Sequence, residues 1–298
     1  MSPTRPRHVA LLIGLVFIWA VSWPVIRVAV ADVPPIWFGV MRYAVAAVIV
    51  FPAVFLTRGL RWPPRQDWPL VIVSGSLQMG AYAALMAYAL TALPAGRASV
   101  VAYSTPLWVV PLAAVRLGER VSARQVCGVI LGLCGLLVIA APSLQFLERD
   151  ALRAYLALAA ASLAWALTIV FVRGHTFKAS AFELAPWQML VATLLLLPAA
   201  IVVEGPPPAL SRTALMALAF IGPVSTAFAY WAAVEAGRRF RAGTVAMSLL
   251  ATPCLGILIS SLTLGERIDA MLLAGLLLVV LGILATLSES RRDRGQAA

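Results

Sequence analysis

The stretch TPLWVVPLAAVRLGER, residues 105–120, returns as TPCLGILISSLTLGER, residues 252–267. Thr105-Pro106 is matched by Thr252-Pro253, and Leu117-Gly118-Glu119-Arg120 by Leu264-Gly265-Glu266-Arg267. In the same register Gly128 falls on Gly275 and Gly135 on Gly282. Nearer each start, one residue out of that register, Trp19, Arg27 and Pro52 fall on Trp165, Arg173 and Pro198. Coincident Leu and Ala mean little in an apolar chain. A shared proline, a Gly-Glu-Arg triplet and two glycines in one register mark a duplication, with halves 1–145 and 146–298.

Composition places both halves in a membrane. The 298 residues are 62% hydrophobic and 12% charged, and the mean hydropathy is +0.95. A soluble chain of that length needs far more polar surface to cover its core. The apolar residues fall into ten stretches of about 20, the length that crosses a hydrocarbon layer: 9–30, 36–56, 69–91, 95–115, 124–142, 152–172, 182–203, 213–234, 241–263 and 270–288. They leave no room for a soluble domain among these residues. Five spans per half is an odd number, so the halves enter the membrane from opposite sides as an inverted repeat. The predicted fold is therefore all-α, ten transmembrane helices around a central path. The first segment carries a basic start and Ala29-Val30-Ala31, as a cleaved leader does. Because Trp19 to Arg27 repeats as Trp165 to Arg173, it is expected to stay as a membrane helix.

The net charge of +11 records topology rather than nucleic-acid binding. A cytoplasmic N-terminus puts Arg5, Arg7, Arg58, Arg61, Arg65, Arg116, Arg120, Arg124, Arg173, Lys178, Arg238, Arg239, Arg241, Arg291, Arg292 and Arg294 on one side. The other side has Arg97, Arg149, Arg153, Arg212 and Arg267. That is the positive-inside pattern, with both termini cytoplasmic. Cys127, Cys134 and Cys254 lie inside spans and form neither a disulfide framework nor a zinc pattern, and His8 and His175 sit near span ends. No catalytic set, cofactor motif or nucleotide-binding loop can be assembled, which argues against an enzyme or an ATP-driven pump.

Several local readings follow. Gly118 and Gly265 suit positions just past a helix end, and Ser122 and Asp269 suit the N-cap of the next span. Glu119 and Glu266 are read as capping or salt-bridging their turns, with substrate or proton binding the minor alternative. Gly128, Gly132 and Gly135 with Gly275 and Gly282 are read as close-packing faces inside the chain rather than across a dimer. Trp37, Trp62 and Trp68 read as interfacial anchors. Pro106 and Pro253, near the middle of spans four and nine, bend their helices and are hinge or gating candidates.

Polar-tipped aromatics at mid-depth mark a substrate path: Trp19 and Ser22 in span one, and Gln78, Tyr82 and Met86 on one face of span three. Tyr103 lies a turn before Pro106, Trp165 and Thr168 repeat Trp19 and Ser22, span eight has Thr226 and Tyr230, and span nine has Ser248. Rings mixed with hydroxyls and an amide suit a small amphipathic solute. Arg42 and Arg27 are the intramembrane cations, and Arg42 is an anion-partner candidate. No Asp or Glu occupies the middle of a span, which disfavours cationic solutes and carboxylate-based proton coupling.

Trp19, Arg42-Tyr43 and the stretch Tyr88–Gly135, repeated over 235–282, resemble the drug/metabolite transporter superfamily, in particular its ten-helix EamA-type exporters. The resemblance spans the whole chain. It implies an inverted five-plus-five repeat, a central cavity and alternating access, with substrates among amino acids and other small metabolites. Its aromatic and neutral amino-acid exporters are the nearest in character, given Trp19, Tyr82, Tyr103 and Trp165. The four-helix drug exporters of the superfamily carry an essential glutamate in their first helix, which is absent here before Asp32. The function expected is metabolite export across an inner membrane with no cofactor or metal. A carrier of anionic metabolites using Arg27 and Arg42, and a non-transporting membrane scaffold, are the alternatives.

Overall fold

A computed structural model describes residues 6–145, 148–240 and 242–287, and every described element in it is helical. Arg5, Arg241, Arg291, Arg292, Arg294 and the end of the predicted span 270–288 lie outside these residues. Among the described residues, nine helices are long and apolar enough to cross a membrane by length and composition. With the apolar α10 they run α1 (Pro6–Ala29), α2 (Pro35–Arg58), α3 (Arg65–Ala92), α4 (Ala95–Leu117), α5 (Ala123–Gln145), α6 (Arg149–Arg173), α7 (Ala181–Glu204), α8 (Arg212–Ala236), α9 (Ala242–Leu249 and Ala251–Leu264) and α10 (Ala270–Leu287).

The packing interleaves the halves. Helix α2 packs on α7, α3 on α6, α1 on α9 and α5 on α10. The α5–α10 contact is made by the repeated glycines. A Cβ on Gly128 would stand 2.7 Å from Gly282 O, and one on Gly135 2.7 Å from Gly275 O. Backbones this close exclude any side chain, so the glycine faces serve packing within the chain. Gly118 and Gly265 both end their helices at φ 67°. Ser122 Oγ accepts from Gln125 N at 3.2 Å, and Asp269 Oδ1 accepts from Leu272 N at 2.8 Å, so both N-cap expectations are met.

Two features correct the sequence reading. First, neither α4 nor α9 is a continuous helix bent at a proline. Helix α4 stops after Ala102, turns through Tyr103 and Ser104, and restarts at Thr105 with Pro106 as its second residue. Helix α9 breaks in the same place, at Leu250, before Ala251 and Pro253. Proline is tolerated in a first helical turn because its missing N–H has no intrahelical partner there. The break frees carbonyls that lipid cannot satisfy. Ser162 Oγ of α6 lies 3.0 Å from Val101 O and 3.1 Å from Ala102 O, and Ser104 and Thr105 hydroxyls donate to the same two oxygens. Second, α3 and α8 contain matched π-helical segments, Ser74–Ala81 and Ile221–Phe228. Tyr82 N bonds Leu77 O, five residues back, and Ala229 N bonds Val224 O, also five back, together with Thr226 O. Such widened turns gather at functional sites. Trp37 is a smaller correction: it is buried at 4% exposure, and its Nε1 donates to Gly205 O at 3.1 Å rather than meeting the interface.

Two consequences are measurable. Gly135→Val must force α10 away, and overpacking of this kind costs about 1–3 kcal/mol; the melting temperature of the purified protein in detergent should fall by several degrees. Ser162→Ala removes a side-chain donor shared by two buried carbonyls that keep their Ser104 and Thr105 donors, at a cost of about 0.5–1.5 kcal/mol. The same melting assay should show a drop, and Ser162→Thr should restore part of it.

Candidate functional site

The backbone irregularities surround one cavity. It encloses about 750 Å³, counting the space at its mouth, and is lined from α1, α2, α3, α4, α6 and α8. Of the candidates read from sequence, Trp19, Ser22, Arg42, Gln78, Tyr82, Met86, Tyr103, Trp165, Thr226 and Tyr230 all lie on its wall. Two are not brought there. Thr168 is buried with its hydroxyl donated to Ala164 O at 3.1 Å, which is how a helix absorbs a threonine. Ser248, on the first piece of α9, also lies off the wall. Ser248 was a candidate only as a hydroxyl of span nine, and the break at Leu250 separates its piece of α9 from the piece that begins at Ala251. Pro106 and Pro253 flank the breaks and do not touch the cavity.

Four rings form its aromatic side. Tyr82 meets Trp165 edge-on with centroids 5.2 Å apart, Tyr103 meets Trp165 at 6.3 Å, and Trp23 meets Tyr103 at 6.3 Å. Edge-to-face pairs at these distances hold one another's orientation. The widened turn in α3 carries Gln78 and delivers Tyr82 at its exit, so the π segment sets which face of α3 looks inward.

The polar side joins the two halves. Ser22 Oγ donates to Ile18 O at 2.6 Å, which uses its only proton, so Ser225 Oγ at 2.6 Å is the donor to Ser22. Arg42 Nε donates to Thr226 Oγ1 at 2.7 Å, and that hydroxyl donates to Ile221 O at the start of the π segment. The guanidinium also lies 5.4 Å from the Tyr43 ring centroid. Among the described residues no carboxylate pairs with Arg42, so its remaining N–H groups face the cavity without a counter-ion. Arg27, the other intramembrane cation, is spent on Leu90 O and is not on the wall. At the position of α7 that repeats Arg42 stands Gln188, whose Oε1 accepts from Tyr230 at 3.1 Å. The duplication has thus left one charge, in the first half only.

Sequence reasoning passed over Ile26, Tyr43, Met79 and Ser225, which also line the cavity. Ser225 was visible only as a hydroxyl beside Thr226; its pairing with Ser22 needs the fold. Trp23, next to Ser22 in sequence, lines the cavity as well. Among the described residues no three His, Cys, Asp or Glu gather as metal ligands.

Comparison with known proteins agrees with this architecture. The EamA-like transporter family model matches residues 7–141 and again 152–288. The chain is 26% identical to an uncharacterized transporter, YoaV, of Bacillus subtilis, covering 94% of this chain and 97% of that one. It is 27% identical to a probable amino-acid metabolite efflux pump of Salmonella typhimurium, covering 90% and 91%. It is 28% identical to a probable terminal-alkyne amino-acid exporter of Streptantibioticus cattleyicolor, covering 96% and 94%. A solved crystal structure superposes with a TM-score of 0.62 at 24% identity, over 97% of this chain and 99% of that chain, and shares the fold. Two family matches spanning both halves, on a chain of apolar membrane helices, make this a multi-pass membrane transporter rather than an enzyme: the chain belongs to the EamA-like transporter family.

Proposed function

We propose that the protein exports neutral or aromatic amino acids, or close metabolites of them, across a bacterial inner membrane by alternating access, with both termini cytoplasmic. The observation that carries this reading is Arg42, fixed by Thr226 and lacking a carboxylate partner among the described residues, opposite the Trp23–Tyr103–Trp165–Tyr82 wall. A guanidinium is suited to a solute carboxylate, and aromatic faces are suited to an apolar or aromatic side chain and to its ammonium group. Ser22, Ser225, Gln78 and Tyr230 supply neutral hydrogen bonds around them. Two relatives whose names include amino-acid metabolite efflux and amino-acid export support the class.

Transport proceeds in this reading without an essential membrane carboxylate. The segments that move are the pieces of α4 and α9 about their breaks beside Pro106 and Pro253, since a helix already interrupted can swing with little further loss of hydrogen bonds. A second reading rests on the same side chain: Arg42 also suits an anionic metabolite, such as a sugar phosphate.

Labelled amino acids taken up into proteoliposomes, with and without an imposed proton gradient, test the proposal. Saturable uptake of a neutral or aromatic amino acid that ignores the gradient is the expected result. Gradient-driven accumulation contradicts the coupling reading, and no uptake by folded protein contradicts the substrate class. Arg42→Gln removes a charge-assisted hydrogen bond worth about 1.5–3 kcal/mol. It should therefore raise KM for amino acids roughly tenfold or more, while Trp165→Ala should weaken aromatic substrates more than small ones.

A further inference from the structure

The repeated glutamates do different things on the two faces of the molecule. On the face opposite the N-terminus, Glu266 leaves its own turn and crosses to the other half. Its Oε1 accepts from Ala95 N at 2.6 Å and its Oε2 from Gly96 N at 2.9 Å, so a carboxylate caps the start of α4 with both oxygens. On the N-terminal face its counterpart Glu119 is exposed and paired with Arg173 of α6. The expectation that these carboxylates serve their own turns therefore fails for both.

Each partner in these two arrangements has its own repeat. Ala95-Gly96 recurs as Ala242-Gly243, where α9 begins, and Arg173 repeats Arg27. Arg27 donates to Leu90 O, near the end of the helix that leads into Ala95-Gly96. A glutamate, an Ala-Gly helix start and an arginine have thus been kept twice in equivalent places, and one copy of the glutamate is seen on each kind of partner. Other contacts differ between the faces too: beside Glu266, Glu204 accepts from Ile36 N and Trp37 N and Arg97 pairs with Asp269, whereas the positions that repeat Glu204, Arg97 and Asp269 are Arg58, Thr244 and Ser122. One pair of ties is matched. Asp32 bonds Ser211 on one face, and Asp67 receives the Lys178 and Ala179 amides on the other, so the loop between the first two helices of each half is tied to the opposite half on both faces.

We infer that Glu119 and Glu266 are the gate residues of the transport cycle and exchange partners in opposite phase. In the state described, Glu266 holds the start of α4 and closes that face, while Glu119 rests on Arg173. In the alternate state Glu119 caps the amides of Ala242 and Gly243 and closes the N-terminal face, while Glu266 moves to Arg27. Both resting places are favourable for a carboxylate, the helix start through its amides and dipole and the arginine through its charge. Neither glutamate need be left unpaired in a low-dielectric site. The exchange is therefore nearly balanced, which a two-way carrier requires. Glycine matters at the receptor because Ile257 and Glu266 Oε2 sit 3.2–3.4 Å from where a Cβ of Gly96 would be.

The test needs no substrate, so its failure is separate from failure of the amino-acid assignment. The full-length protein, with Cys127, Cys134 and Cys254 changed to Ser, carries spin labels in lipid nanodiscs. Ala92→Cys with Ile268→Cys reports one face, and Val121→Cys with Thr244→Cys the other. Glu266→Gln should open the first face and close the second, and Glu119→Gln should do the reverse. Each should shift the ratio of the two distance populations about tenfold, the size of one charge-assisted cap. Arg27→Gln, which removes the alternative partner of Glu266, should move the populations opposite to Glu266→Gln. Should a glutamine variant fail to fold, Arg27→Gln and Arg173→Gln decide the matter, because they must shift the populations in opposite directions. Variants that move both faces the same way, or change the ratio less than twofold, overturn the inference.

Discussion

Every polar backbone group in the hydrocarbon layer must find its partner within the protein, and this requirement organises the molecule. Regular helices meet it by themselves. Where α4 breaks at Tyr103-Ser104 they cannot, and Ser162, Ser104 and Thr105 take over the carbonyls of Val101 and Ala102. In α8 Thr226 joins backbone and site, its hydroxyl donating to Ile221 O while accepting from Arg42. The charged group of the cavity is thus held by a side chain that is itself bound to the π segment.

How legible this was from sequence depended on the distance over which each feature is decided. The ring pair Tyr82 and Trp165 could be anticipated, since one lies on a face shared with Gln78 and Met86 and the other repeats Trp19. The caps at Ser122 and Asp269 are local and were readable for that reason. Ser248 was chosen only as a hydroxyl within span nine, and depth in a span does not say which way a side chain faces. The π segments left no readable mark: Ser74–Ala81 contains no proline and Ile221–Phe228 contains one, yet both widen. Neither composition nor periodicity in these eight-residue stretches distinguishes them from ordinary helix. Glu266 failed because its partners are encoded 171 and 170 residues away.

The duplication is informative where it is kept and where it has lapsed. Glycines, capping positions and the Gly-Glu-Arg turns persist because they serve the scaffold and its motions. Arg42 and Gln188 diverge at one equivalent position, and each has found a partner on α8, Thr226 for one and Tyr230 for the other. A symmetric frame thereby encloses an asymmetric site. That is what a solute with a charged end and an apolar end requires, because a site charged equally on both halves has no preferred orientation to offer it.

The glycine seam between α5 and α10 bears on how such a chain comes to be assembled. In order of synthesis α5 is finished long before α10, and nothing nearer in sequence offers the close backbone that Gly128 and Gly135 require. Until α10 enters the bilayer, the glycine face of α5 has no backbone to receive it. The seam that joins the two halves there can therefore close only after the helices between them have been made.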